Sequence, residues 1–278
     1  MEHIALWRSS PFFLMHAACA LVFWFGASPF AVWTCATLYF VRMFAITAGY
    51  HRYFAHASYK TSRWFQFVLA WIGASSVQKG PLWWAAHHRH HHAHSDTEAD
   101  IHSPVTRNFW WSHMGWFLCT KYDDTPLHLI RPYSQFPELR WLNDYHAVPG
   151  ILLGATLAIT GNWLAIHAPQ FGTNGPQLVL WGLISTVLLY HGTFTVNSLA
   201  HVFGSRRYQT KDDSRNNLLI ALITLGEGWH NNHHYAPSSE RQGFFWWEID
   251  IAHYVLVALS WLGVVWDLKR PPPRVYEV

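Results

Sequence analysis

Four short stretches of this chain concentrate histidine: HRYFAH (51–56), HHRHHHAHSD (87–96), NSLAH (197–201) and GEGWHNNHH (226–234). A neutral imidazole offers a nitrogen lone pair that suits iron, zinc or copper. On a helix, residues at i, i+3 and i+4 share a face. His88, His91 and His92 have that spacing, and so do His230, His233 and His234. Asn197 and His201 form an i, i+4 pair, whereas His51 and His56, five apart, fit a helix end better than a regular turn. Two, three, one and three nitrogens are more than one ion accepts, so convergence of the four stretches implies a two-metal centre. His3, His16, His113, His128, His146, His167, His191 and His253 stand apart from the clusters and read as ordinary polar residues.

The elements that must carry these side chains are membrane helices. The chain has 278 residues, 51% apolar and 17% aromatic, with 18 Trp and only 13% charged residues. Mean hydropathy is only +0.02, yet the polar residues are segregated into blocks rather than interleaved. Four runs are long and apolar enough to span a bilayer: 11–27, 30–50, 147–166 and 177–199. The first run is preceded by a single basic residue, Arg8, lacks a small-x-small cleavage site and is followed at once by a second run, so it reads as a span and not a leader. The short links between spans one and two and between three and four contain no Lys or Arg, whereas 51–146 holds nine and the tail after His201 eight. The positive-inside rule therefore predicts both termini and all four histidine stretches on the cytoplasmic side. Two shorter apolar stretches, Trp64 to Val77 and Ala252 to Trp266, predict helices lying at the interface. Arg42 falls inside span two and has no partner evident from the sequence.

Other chemistries find little support. Cys19, Cys35 and Cys119 are scattered and form no CxxC, so neither a disulfide framework nor a thiolate site is indicated. A net charge of +3 with no basic stripe argues against nucleic acid. A metal transporter would want its ligands near the bilayer midplane, but these clusters lie at the inner ends of spans and beyond.

The strings TAGYHRYFAH, HRHHH, NSLAH and GEGWHNNHH, in this order and spacing, resemble the membrane-bound fatty acyl desaturases of the delta-9 (stearoyl) type, from about span two to the C-terminus. The resemblance implies an all-α integral membrane domain covering 1–278. Its four transmembrane helices carry a cytoplasmic helical cap (51–146 and 200–278) that holds a di-iron site. Residue by residue, it implies iron ligation by His51, His56, His88, His91, His92, His201, His230, His233 and His234, with Asn197 reaching a metal through water. The HRxHH register leaves His87, His90 and His94 outside the ligand set. Asp96, Asp100 and Glu227 lie close enough in sequence to accept hydrogen bonds from ligand N–H groups; a solvated surface carboxylate is the plainer reading of the two aspartates. The resemblance further places Trp84 and Thr193 near the bend of an acyl tunnel, and Tyr39 with Met43 at its end.

The implied reaction is O2-dependent introduction of a cis double bond, delta-9 by type, into a long acyl chain. Breaking an unactivated methylene C–H requires an oxidant made from O2 at a reduced metal pair, which redox-silent zinc does not provide. Histidine-box hydroxylases of alkanes or carotenoids share the chemistry but differ in the composition of their boxes. Where acyl-CoA enzymes of the family often read WARDH, this chain has Ala86 and His87, and an Arg–Lys pair is replaced by Thr120–Lys121. Both acyl-CoA and acyl-lipid therefore stand as carriers. The chain has no His-Pro-Gly-Gly of a fused cytochrome and no dinucleotide fingerprint, so an external ferredoxin, rubredoxin or cytochrome-type donor is implied. Arg206, Arg207, Lys211 and Arg215 form a basic face that suits either an acidic partner or lipid head groups.

Overall fold

The computed structural model describes residues 3–277 and is predominantly helical. Among the described residues four helices are long and apolar enough to cross a membrane: Leu6–Phe25, Pro29–Ala55, Val148–His167 and Gly175–His201. Span one begins before Pro11, so that proline lies inside it. The missing N–H of Pro11 leaves the Trp7 carbonyl without its helical donor, and the Ser10 hydroxyl donates to it instead (2.9 Å). Gly26, at φ +67°, ends this helix, and Ser28 caps the next by accepting from the Ala31 N–H (3.1 Å), with Pro29 at the first helical position. Phe23 and Trp24 on span one are 93% and 84% exposed, an apolar surface suited to lipid tails rather than water.

Span four is the centre of the bundle, packed against both span two and span three. A Cβ on Gly182 would lie 2.5 Å from Leu157 Cδ1, so the missing side chain is what lets spans three and four approach. Arg42 is buried between spans two and four. Its guanidinium donates to Thr186 Oγ1 and Ser185 Oγ (both 2.7 Å) and its Nε to the Leu38 carbonyl (3.0 Å). The intramembrane charge thus meets hydroxyls and carbonyls, not a carboxylate.

Span two does not end where the apolar run ends. It is α-helical over Pro29–Phe44 and then widens into a π-helix over Ala45–Ala55, every residue of which is buried. The widened segment carries the chain into the cap, where the helix Arg63–Ala74 lies across it; a Cβ on Gly73 would sit 2.4 Å from Tyr50 Cε1. Trp64 on the outer side of that helix is 73% exposed, in keeping with an interfacial position. The stretch 252–266, expected as one interfacial helix, is helical only over Ile251–Trp261. The chain then turns at Gly263 (φ +69°), and Val265–Trp266 pairs antiparallel with Lys60–Thr61, so the helix expectation fails for its last residues.

Candidate metal centre

The π-helix explains the odd five-residue spacing. A π-turn closes i to i+5, and the His56 N–H donates to the His51 carbonyl (3.1 Å). The turn brings both imidazoles to one side, their ring centroids 4.8 Å apart. The helix Pro81–His94 supplies His88, His91 and His92; the short 3-10 turn that ends span four supplies His201; and the helix His230–Tyr235 supplies the last three.

These nine histidines fall into two groups, His51, His56, His88, His92 and His233 in one and His91, His201, His230 and His234 in the other, with ligand atoms within 4.8 Å of one another in each. In the first group the Nε2 atoms face inward: His56–His88 are 2.9 Å apart, His88–His92 3.0 Å, His92–His233 2.9 Å and His51–His233 3.1 Å. In the second, His201 and His230 Nε2 are 3.0 Å apart, and the buried His234 Nε2 has no hydrogen-bond partner among the described residues. Desolvation, with like charges nearby, pushes His56, His88, His92, His230 and His233 well below the ordinary imidazole value. Neutral lone pairs converging at this separation repel one another unless a cation lies between them. The donor set therefore fits two nitrogen-ligated transition metals.

The outward nitrogens are fixed by carboxylates. His91 Nδ1 donates to Asp100 (3.0 Å), His201 Nδ1 to Asp96 (2.8 Å) and His234 Nδ1 to Asp212 (2.8 Å). His51 Nδ1 pairs with Glu227. Each bond sets the tautomer that presents Nε2 inward and raises its donor strength. Although burial opposes ionisation, Asp96 is held at about 2 by its hydrogen bonds from His201 and Ser103, and His91 holds Asp100 below the carboxylate range. Glu227 lies between two glycines for steric reasons. Gly226 has φ +132°, and a Cβ on Gly228 would sit 2.0 Å from the Ala221 nitrogen. Buried Arg52 contacts Glu227 (3.4 Å) and pairs with Asp250 (2.9 Å), so the carboxylate behind His51 is itself held. The asparagines between the last histidines are fully buried pins. Asn231 accepts from the Arg207 and Tyr208 N–H groups (2.9 and 2.8 Å), and Asn232 donates to the Gln242 carbonyl and Glu248 (both 2.9 Å).

The surplus histidines lie apart from both groups. His87 Nδ1 donates to the Trp83 carbonyl (2.9 Å), His90 Nε2 to the Ala99 carbonyl (3.0 Å) and His94 Nδ1 to the His90 carbonyl (3.0 Å). Two residues of the site escaped the sequence reading. Asp212 precedes its partner His234 by 22 positions in an irregular loop. His102 is buried, stacks on His91 with centroids 4.3 Å apart, and shares Asp100 with it through its backbone N–H (3.2 Å). The clue to His102 was its position two residues after a flagged aspartate.

An apolar cavity of about 270 Å³ adjoins a smaller one of about 30 Å³ that is lined by His51 and His88 of the first group. Trp84, Thr193 and Asn197 line both, and the Trp84 indole stacks on His88 (5.0 Å, 19°). Thr193 Oγ1 accepts from the Gln78 amide (2.9 Å). Met43 lines the smaller cavity, while the Tyr39 hydroxyl lies beside Gly192 and donates to the Ile223 carbonyl (2.7 Å).

A family model for fatty acid desaturases matches residues 27–266. An sn-1 stearoyl-lipid 9-desaturase of Anabaena variabilis is 36% identical over 81% of this chain and 78% of its own. An sn-2 palmitoyl-lipid 9-desaturase of a Nostoc species (strain 36) is 32% identical over 96% of this chain and 92% of its own. Acyl-CoA 5-desaturase AL21 of Anemone leveillei is 34% identical over 96% and 82%.

Proposed function

The chain belongs to the fatty acid desaturase family, an oxidoreductase that desaturates fatty acyl chains, and from that premise we propose that it does so with two irons and O2, at carbon 9. The observation that carries this reading is the convergence of nine histidines into a group of five and a group of four, where two apolar cavities meet. The five would hold one iron and the four the other, and Asn197, which lines both cavities, would reach a metal through water. When bound, the iron pair supplies from O2 the oxidant that takes hydrogen from an unactivated methylene. Two electrons from a donor and two from the C–H bonds broken reduce O2 to two waters.

The chain's own residues do the positioning. Trp84, stacked on His88, and Thr193, tied to Gln78, form the walls where the acyl chain passes the metals. The apolar lining excludes water from the reacting carbons, and the four carboxylates keep Nδ1–H pointed outward so that Nε2 remains a ligand. We place the cap on the cytoplasmic side, following the distribution of Lys and Arg. A separate ferredoxin, rubredoxin or cytochrome-type protein brings the electrons. Arg206 and Arg207 are paired with Asp213 and Glu248, while Lys211 is exposed beside Asp212, which links this face to His234. An acidic donor docking there has a short route to the centre.

Expression in a desaturase-deficient host with iron and a donor, followed by mapping of double bonds, tests the reading. A new cis bond at carbon 9 is expected. A bond at carbon 5 corrects the position, a hydroxylated chain points to the related hydroxylase chemistry, and unchanged fatty acids with iron loaded refute the reading.

A further inference from the structure

The larger apolar cavity does not close at its outer end. It opens into a polar chamber of about 510 Å³, and the two share Arg8, Lys79, Trp83, Asp123 and His146. The chamber lies where two spans begin, since Arg8 is two residues into span one and His146 two residues before span three. That is head-group depth on the cap side of the bilayer. One wall of the apolar cavity is span one itself, through Pro11, Phe12 and Met15, so an acyl chain in the cavity lies alongside the lipid tails outside.

The charges of the chamber decide what fits in it. Its ionic side chains are Arg8, Lys79 and Arg140 against Asp123, Asp124 and Asp144, three cations and three carboxylates. Arg8 and Lys79 (3.2 Å) share the single carboxylate of Asp123, so that trio carries one net positive charge, and Arg140 stands against Asp124 and Asp144, which leaves the chamber with no net charge. Coenzyme A brings a phosphomonoester and a diphosphate, together about four negative charges near neutral pH. Four negative charges in a chamber that holds three carboxylates and no net positive charge gain little attraction and meet repulsion from Asp124 and Asp144. A head group with no net charge meets no such penalty. Sugar hydroxyls, or a phosphate held with its own ammonium, find both signs of partner within the chamber.

Resting on the desaturase reading above, we infer that the acyl chain is presented while still part of a membrane glycerolipid of no net charge, with its head group in this chamber, and not as a coenzyme A thioester. The test uses the full chain, loaded with two irons, in nanodiscs with a reduced ferredoxin. Isotope-labelled stearoyl chains are offered on phosphatidylcholine, on a galactolipid, on phosphatidylglycerol and as stearoyl-CoA. Label should become unsaturated on one or both uncharged lipids at least tenfold faster than on stearoyl-CoA, with phosphatidylglycerol slower than the better of the two. Phosphatidylcholine and galactolipid separate the two sources of an uncharged head group. Asp124→Lys with Asp144→Lys, or Asp124→Lys alone if the pair fails to fold, should shift the lipid-to-CoA ratio at least tenfold toward CoA at unchanged iron content. The same change should tighten binding of a non-hydrolysable stearyl-CoA thioether at least tenfold. Wild-type turnover of stearoyl-CoA as fast as of any lipid, or a ratio and affinity indifferent to the charge reversal, overturns the inference. No unsaturation on any carrier, with iron loaded and the donor reduced, overturns the desaturase reading itself.

Discussion

Asp212→Asn is the sharpest probe of the metal centre, because the replacement is nearly isosteric and its effect follows from hydrogen-bond polarity. Asp212 Oδ2 accepts from His234 Nδ1 at 2.8 Å, while Oδ1 accepts from the Ser214 N–H (3.1 Å) and the Thr210 hydroxyl (3.0 Å). An asparagine keeps its carbonyl oxygen on those two donors and turns its NH2 toward His234. Donor then faces donor, and the imidazole relieves the clash by moving its proton to Nε2, the nitrogen the metal needs. The Asp212 side chain is only 10% exposed, so water compensates little. Loss of such an outer partner typically weakens metal binding by about 10- to 100-fold, roughly 1.4–2.7 kcal/mol. The full tautomer change belongs at the upper end of that range. Iron per chain is measured after dialysis against graded chelator. Where the wild type keeps two, Asp212→Asn should keep about one, the group of five being untouched. Asp213→Asn is the control, because that carboxylate faces Arg206 (3.0 Å) and is 40% exposed. Equal iron retention by Asp212→Asn and wild type, or equal loss from both variants, would refute the reasoning.

Three further outcomes are expected. His90→Ala should retain iron and product formation while His92→Ala loses both, since His90 Nε2 donates to the Ala99 carbonyl and His92 Nε2 faces His88 and His233; equal loss would show the register of this helix to be wrong. Arg42→Met should lower the melting temperature in detergent by the equivalent of about 1–3 kcal/mol, through lost bonds to Ser185 and Thr186; an unchanged midpoint counts against Arg42 as the tie between spans two and four. Acidification should destabilise the metal-free protein. Burial holds His87 and His234 at about 4, so above the unfolded value near 6.5 both states are neutral, and between pH 6.5 and 4 the unfolded chain takes up protons that the folded one refuses. His91, raised by Asp100 against the effect of burial, acts in the opposite sense, but a single group does not offset the others. A melting temperature that rises over this window contradicts the assignment.

What the sequence made legible was whatever repeats at short range. Apolar runs marked the spans to within a few residues, and i, i+3, i+4 spacing marked the histidine faces, because helix geometry converts both into local patterns. His51 and His56 show where that logic weakens. Their spacing suggested a helix end, and the chain instead widens its helix, since a π-turn has no propensity signature that a sequence displays. The partners of Arg42 were invisible for a different reason: Ser185 and Thr186 are 143 and 144 residues away and are common, small residues in an apolar run.

The same divide runs through the metal centre. Asp96, Asp100 and Glu227 could be flagged because each is within a few residues of some histidine, yet Asp96 serves His201, 105 positions distant, and Glu227 serves His51. The ligands themselves are therefore a local property, while the assignment of carboxylates to ligands is a property of the fold. That assignment is uneven: three of the four imidazoles in the smaller group are backed by carboxylates, against one of five in the larger. A hydrogen-bonded carboxylate makes an imidazole a stronger donor, so the group with fewer nitrogens has the more basic ones. Two metal positions that look alike as histidine counts thus differ in the negative charge behind them, and that difference is written in tertiary contacts that no spacing rule reaches.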